Sequence, residues 1–191
     1  MYYSEDGDWD DYEPNMMYDL ETSDKRNRYI RYGCKIMHDE KVKAVIGNNN
    51  LHLLAQSKFV AIDTEGRCKI TKMPIMIQIT NGKIILIMKY QEYYEDIKNF
   101  LSRKTVFVFG GNNEFSIMKY TPPSVIETQV HGLSLKHMAT EYYNQSVKFE
   151  KPSNLFYKNK YWNYPRRQHY IYAAFDFYIT YQLGMTHRKE I

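Results

Sequence analysis

Asp63 and Glu65 stand two residues apart at the end of the apolar run Phe59 to Ile62, in the stretch FVAIDTEG. Side chains alternate along a strand, so residues i and i+2 leave the same side of it. The mouth of a buried strand then carries two like charges, which repel by several kcal/mol in a dry site unless cations stand between them. Hard divalent ions with oxygen ligands remove that conflict. Two more acids fall where they could join. Glu114 follows the apolar run TVFVFGG at the start of a predicted helix, where the helix dipole alone would also favour it. Asp176 lies four residues after Tyr172 in YAAFD, so the two share one face of a predicted helix one turn apart. Taken singly, a helix Asp is an ordinary solvated charge and Glu114 an ordinary helix-start acid. Taken together, the order strand acids, post-strand acid, helix Tyr and Asp points to a site that holds divalent cations.

Those side chains need a sheet and helices to hold them. Three apolar, β-rich segments, KFVAID, MPIMIQIT and KIILIMKY, predict strands. Asn81-Gly82 between the last two predicts a tight hairpin whose residues tolerate positive φ. An antiparallel meander follows. QEYYEDIKNFLSRK places Tyr93 or Tyr94, Ile97, Phe100 and Leu101 at helical spacing. TVFVF then reads as a strand reached by a helical crossover, hence parallel to its neighbour. NNEFSIMKY reads as a short helix opened by an Asn cap. Upstream, Tyr29 to Ile36 is expected to form a first strand or arm, and HDEKVKAVIGNNNLHLLAQS a helix with a loop at Gly47 to Asn50. The segments LSLKHMATEYYNQ and WNYPRRQHYIYAAFDFYITYQLGM are expected to be mainly helical, joined by the polar linker KFEKPSNLFYKNK. Ile171, Phe175, Tyr178 and Ile179 would dock the last helix on the sheet. The expected fold class is α/β, one mixed sheet flanked by helices.

Length and charge narrow the partners. The chain has 191 residues, enough for one domain with a real core. Residues 1–24 hold nine acids and no Lys or Arg; removing those nine from the 22 acids of the chain leaves 13 against all 26 basic residues. The body, 25–191, is therefore formally +13, which favours polyanions through counterion release. The acidic segment 1–24 is expected to be a disordered or loosely packed tail. Nineteen tyrosines among the cations suit stacking on unpaired bases, although they serve equally as core residues. No long apolar run or secretory signal is present. Cys34 and Cys68 lie in no CxxC or Cys/His cluster, so a reducing, intracellular setting (cytoplasm or nucleus) is expected, with no disulfide and no structural zinc.

FVAIDTEG, the IQIT strand, VFVFGGNNEFSIM and YAAFDFYITYQL resemble, in order and spacing, the successive motifs of the DEDD 3′–5′ exonuclease superfamily. The likeness is to its tyrosine-bearing branch, which includes ribonuclease D, the Werner exonuclease domain and Egalitarian-like proteins. WNYPRRQHYIYAAFD resembles the pattern leading into the last motif. The histidine-bearing branch would want a His five residues before the last Asp, and Ile171 stands there. The resemblance spans about residues 50–186.

It implies a ribonuclease H-like fold and two-metal hydrolysis of phosphodiesters with Mg²⁺ or Mn²⁺. By position, Asp63 and Glu65 match the first pair of metal ligands, Asp176 matches the last, and Tyr172 matches the hydroxyl that orients the attacking water. The middle motif departs from the family: its usual Asp falls on Glu114 when Met118 is aligned with the family's Leu, or on Asn113 in a register that spoils the apolar positions. Glu adds a methylene, a displacement of about 1 Å, and errors of that size can cost about 10²-fold in rate. The sequence thus permits an exonuclease acting on single-stranded 3′ ends, RNA favoured over DNA, or a weak or inactive relative serving as an RNA-binding or protein-interaction adaptor, perhaps dimeric. Lys69, Lys72, Lys119, Arg166 and Arg167 are the candidate phosphate contacts; solubilising surface charge is the plainer account of each.

Overall fold

The computed structural model describes residues 30–35, 41–47, 49–130, 132–135, 137–138, 178–186 and 188. The acidic segment 1–24 lies outside them. So do Tyr172, Asp176, Arg166 and Arg167 and the linker segment 148–160. Among the described residues no helix is long and apolar enough to cross a membrane.

A seven-stranded mixed sheet organises the chain. Its strands are β1 (Ile30–Lys35), β2 (Lys41–Ile46), β3 (Phe59–Arg67), β4 (Pro74–Thr80), β5 (Ile84–Lys89), β6 (Thr105–Val108) and β7 (Val125–Glu127). Across the sheet they run β1-β2-β5-β4-β3-β6-β7. Strands β3, β4 and β5 form the expected meander, and β6 lies parallel to β3 with Phe59, Val60 and Ala61 opposite Thr105, Val106 and Phe107. The helical crossover is α1 (Tyr94–Leu101), which buries Ile97, Phe100 and Leu101.

Three local expectations change. Lys41 to Ile46 is a strand, not a helix, pairing antiparallel with β1 and parallel with β5; only a 3₁₀ turn at Leu51–Leu54 follows the loop. The alternation of Lys and apolar residues in KVKA has the period of a strand, not of a helix. At the β4–β5 turn Gly82 alone takes positive φ, at 81°. Asn81 contributes its side chain instead, its Oδ1 accepting the N–H groups of Lys83 (3.0 Å) and Ile84 (2.9 Å). Third, α2 (Gly111–Met118) has no Asn cap; Gly110 precedes it in the left-handed region, at φ 74°.

The sheet is covered on both faces. One layer joins Val60, Ile62, Ile77, Ile79, Leu86, Met88, Val106 and Val108 to α1 and to Met118 of α2. The opposite layer joins Ala61, Met76, Ile85, Ile87 and Phe107 to Tyr178, with Tyr181 and Met185 packed against it. These last residues lie on α3, the helical residues 178–186. Of the residues expected to dock the last helix, Tyr178 joins this sheet layer, whereas Ile179 is buried in a separate cluster with Met138 and Leu183. Phe107 anchors the contact: its ring stacks on Phe59 at 5.8 Å and meets Tyr181 edge-on at 5.8 Å. The Arg188 guanidinium lies over the Phe59 ring, 4.1 Å from its centroid.

Gly184 lets α3 come this close. A Cβ there would stand 2.2–2.6 Å from three Phe107 ring atoms. In an exposed helix Gly→Ala gains about 1 kcal/mol from propensity, but overpacking a filled core costs about 1–3 kcal/mol. Gly184→Ala is therefore expected to lower the denaturant midpoint of unfolding. An increase would show that α3 can move off the sheet.

Candidate active site

The candidate site lies where β3 runs past the end of β6. Asp63 and Glu65 leave one side of β3, opposite Gln78 and Met76 of β4. Both acids are half-buried. Gly110 in the left-handed region turns the chain sharply after β6, so that α2 starts beside β3 and Glu114 falls in its first turn.

Glu114 reaches β3. Its Oε2 accepts the Thr64 hydroxyl. The Thr64 N–H donates to Asp63 Oδ1 at 2.8 Å. Thr64, the middle residue of Asp-Thr-Glu, thus holds both carboxyls, one through its hydroxyl and the other through its N–H. Burial first, and the neighbouring Asp63 charge second, raise the Glu114 carboxyl from its ordinary 4.5 to about 8. Without added positive charge Glu114 keeps its proton near neutral pH.

A second carboxylate orients α2 itself. Glu127 of β7 accepts the N–H groups of Gly110 (3.0 Å, Oε1) and Gly111 (2.7 Å, Oε2). An acid from a neighbouring strand, not a local Asn, satisfies the first donors of the helix. β7 lies parallel to β6, Phe107 opposite Ile126 and Val108 opposite Glu127, which delivers the carboxylate there.

The donor chemistry fits hard divalent cations: oxygen atoms only, from carboxylates that repel and of which one retains a proton. Among the described residues no three Asp, Glu, His or Cys side chains make a ready metal cluster. The structure brings Asp63 and Glu114 together and sets Glu65 on the same side of β3; Tyr172 and Asp176 lie outside the described residues.

Three of the five candidate phosphate contacts are described, and all are exposed. Lys69 and Lys72 occupy the β3–β4 hairpin loop, where Lys72 has φ 62°. Lys119, at the end of α2, donates from Nζ to Thr71 O at 2.8 Å, tying α2 to that loop. Arg67, a cation not among those five, donates from Nε to Lys72 O at 3.1 Å. Its signal was available: residues 66–91 contain no acid and five cations.

No protein-family model matches the sequence, and no curated protein matches it. Solved structures do. The ribonuclease D of Escherichia coli, an exoribonuclease involved in structured RNA processing, superposes with TM-score 0.58 at 18% identity, over 78% of this chain and 44% of that one. The Nibbler EXO domain of Aedes aegypti gives TM-score 0.52 at 14% identity, over 73% and 84%. Brucella melitensis NrnC, solved with bound Mg²⁺, gives TM-score 0.51 at 15% identity, over 75% and 77%. The fold is that of the ribonuclease D type exonuclease domains. This chain thus spans less than half the length of the Escherichia coli enzyme it resembles.

The raised Glu114 carboxyl predicts a pH dependence. Between about 4.5 and about 8 the folded protein holds a proton that the unfolded chain releases, so stability falls as pH rises through that window. Thermal unfolding in EDTA is expected to show a midpoint that declines from pH 5 to pH 8.5, and Glu114→Gln is expected to flatten the slope. A wild-type midpoint independent of pH would contradict the buried proton.

Proposed function

We propose that this chain is a divalent-metal-dependent 3′–5′ exonuclease domain that hydrolyses phosphodiesters at single-stranded ends, RNA in preference to DNA. The observation that carries the reading is the convergence of Asp63 and Glu114 on Thr64, at the end of a strand in a ribonuclease D type fold. The description of the Escherichia coli protein as an exoribonuclease supports RNA as the substrate.

In this reading Asp63, Glu65, Glu114 and Asp176 hold two Mg²⁺ or Mn²⁺ ions. When bound, such ions offset phosphate charge and acidify water. The remaining steps belong to the protein. Glu114 gives up its proton to become a ligand, so loading of the site releases protons and weakens as pH falls. Thr64 fixes the separation of Asp63 and Glu114 through its N–H to the first and its hydroxyl to the second. Tyr172 orients the water for attack in line with the departing 3′ oxygen. Lys69, Lys72 and Lys119, joined by Arg67, draw the sugar-phosphate backbone toward the acids; Arg166 and Arg167 are assigned the same task. The extra methylene of Glu114 is accommodated, because the side chain already reaches Thr64 across from α2.

Incubation of 5′-labelled single-stranded RNA and DNA with Mn²⁺ tests the reading. A ladder shortened one nucleotide at a time is expected, faster on RNA, with Asp63→Ala/Glu65→Ala slower by more than about 10²-fold. Absence of a ladder at high enzyme, with RNA retained equally by both proteins, would establish a binding adaptor instead.

The phosphate contacts have a separate test. Counterion release gives a slope of log K against log salt of about −0.7 per single-strand phosphate contact. For RNA binding by the Asp63→Ala/Glu65→Ala background, adding Lys69→Ala/Lys72→Ala is expected to make the slope shallower by about 1.4. An unchanged slope would remove both lysines from the interface.

A further inference from the structure

Among the described residues five polar side chains are buried: Asn50, Gln78, Thr80, Thr128 and Thr180. Four have partners. Thr80 donates to Ile84 O and Thr128 to Val108 O, while Asn50 and Thr180 also interact. Gln78 is fully buried, yet neither its Oε1 nor its Nε2 has a hydrogen-bond partner among the described residues. Primary amides in apolar surroundings are normally paired, so this one calls for a physical account.

Its neighbours supply one. On β4, Gln78 stands between Met76 and Thr80 on the same side of the strand. Across the sheet it faces Ile87 of β5 and Asp63 of β3. Ile87 offers nothing polar, and the Thr80 hydroxyl is committed to Ile84 O. The polar side chain directly opposite is therefore Asp63, with Cβ atoms about 4.5–5.5 Å apart by the geometry of paired strands. A glutamine spans that gap by turning its own χ angles.

We propose that Gln78 is a positioning residue for Asp63, its Nε2 donating to the Asp63 carboxylate when divalent cations draw that group away from the Thr64 N–H. The inference rests on the metal-binding reading above. An amide suits the task better than Lys or Arg, because it fixes a ligand without bringing a charge that competes with the cation. Leu or Met would pack as well, but would leave the carboxylate without this donor.

The full chain and its Gln78→Met variant, compared by Mn²⁺ calorimetry and by unfolding in EDTA, provide the test. The variant is expected to bind Mn²⁺ about 10-fold more weakly or worse, with an EDTA unfolding midpoint equal to or above that of the wild type because an unpaired buried amide has gone. In the wild type, the Gln78 side-chain amide resonances are expected to shift on titration with Mg²⁺. Unchanged Mn²⁺ affinity in the variant, or Gln78 resonances that stay fixed at saturating Mg²⁺, would overturn the role. If the variant does not fold, the wild-type titration decides alone. Absence of binding heat from the wild type itself at millimolar Mn²⁺ would instead overturn the metal reading, and the Gln78 role with it.

Discussion

A repulsion between two carboxyls, Asp63 and Glu114, is the constraint around which the rest of this structure is arranged. Two unit charges about 4 Å apart oppose each other by about 4 kcal/mol at the effective dielectric of a protein near its surface. That is comparable to a large part of the net stability of a domain. The fold contains the cost in two ways: Thr64 donates to both groups, and Glu114 holds a proton up to about pH 8. The surroundings supply the rest. Ile62, Ile77, Ile79, Leu86 and Val106 on one face of the sheet are all fully buried, and each contributes about 1.5–3 kcal/mol by leaving water.

The carboxyls meet because rigid elements bring them there. β3 is central, paired parallel with β6 as far as Ala61 and antiparallel with β4 beyond it, so Asp63 is held opposite Gln78 just past the end of β6. α2 leaves β6 through the left-handed Gly110 and returns its first turn to β3. On the other face, Phe107 is held between Phe59 and Tyr181, with Gly184 leaving room for its ring. Charge follows the same geometry. The acids sit along β3, and the cations Arg67, Lys69, Lys72 and Lys119 gather at the hairpin immediately beyond it. A polyanion drawn to the hairpin arrives beside the acids.

Much of this is legible in the sequence, and what is not has identifiable causes. The meander could be read because β3, β4 and β5 are continuous apolar runs punctuated by Asn81-Gly82. The parallel β6 could be read because a helical crossover precedes it. β2 does not announce itself as a strand; its Lys-apolar alternation spans only four residues before the run becomes uniformly apolar. β7 gives no sequence signal, since three residues become a strand only by pairing with β6. Asp63 and Glu65 stand out by spacing alone, whereas the reach of Glu114 depends on the turn at Gly110. Gln78 is invisible in IQIT, because a glutamine inside an apolar run means little until the register places it opposite Asp63.

The carboxylate of Glu127 carries a consequence for how acids in such a fold are ranked. It grips the Gly110 and Gly111 N–H groups and thereby sets where α2 begins, and with it the height at which Glu114 meets β3. A survey that neutralised each acid in turn and scored only turnover would group Glu127 with the ligands, although its own bonds go to backbone. The two kinds of acid part company under a different replacement. As a proposed cation ligand Asp63 needs a charged oxygen, whereas Glu127 needs only an acceptor of the right length, so under that proposal glutamine is a tolerable substitute at 127 and asparagine a damaging one at 63.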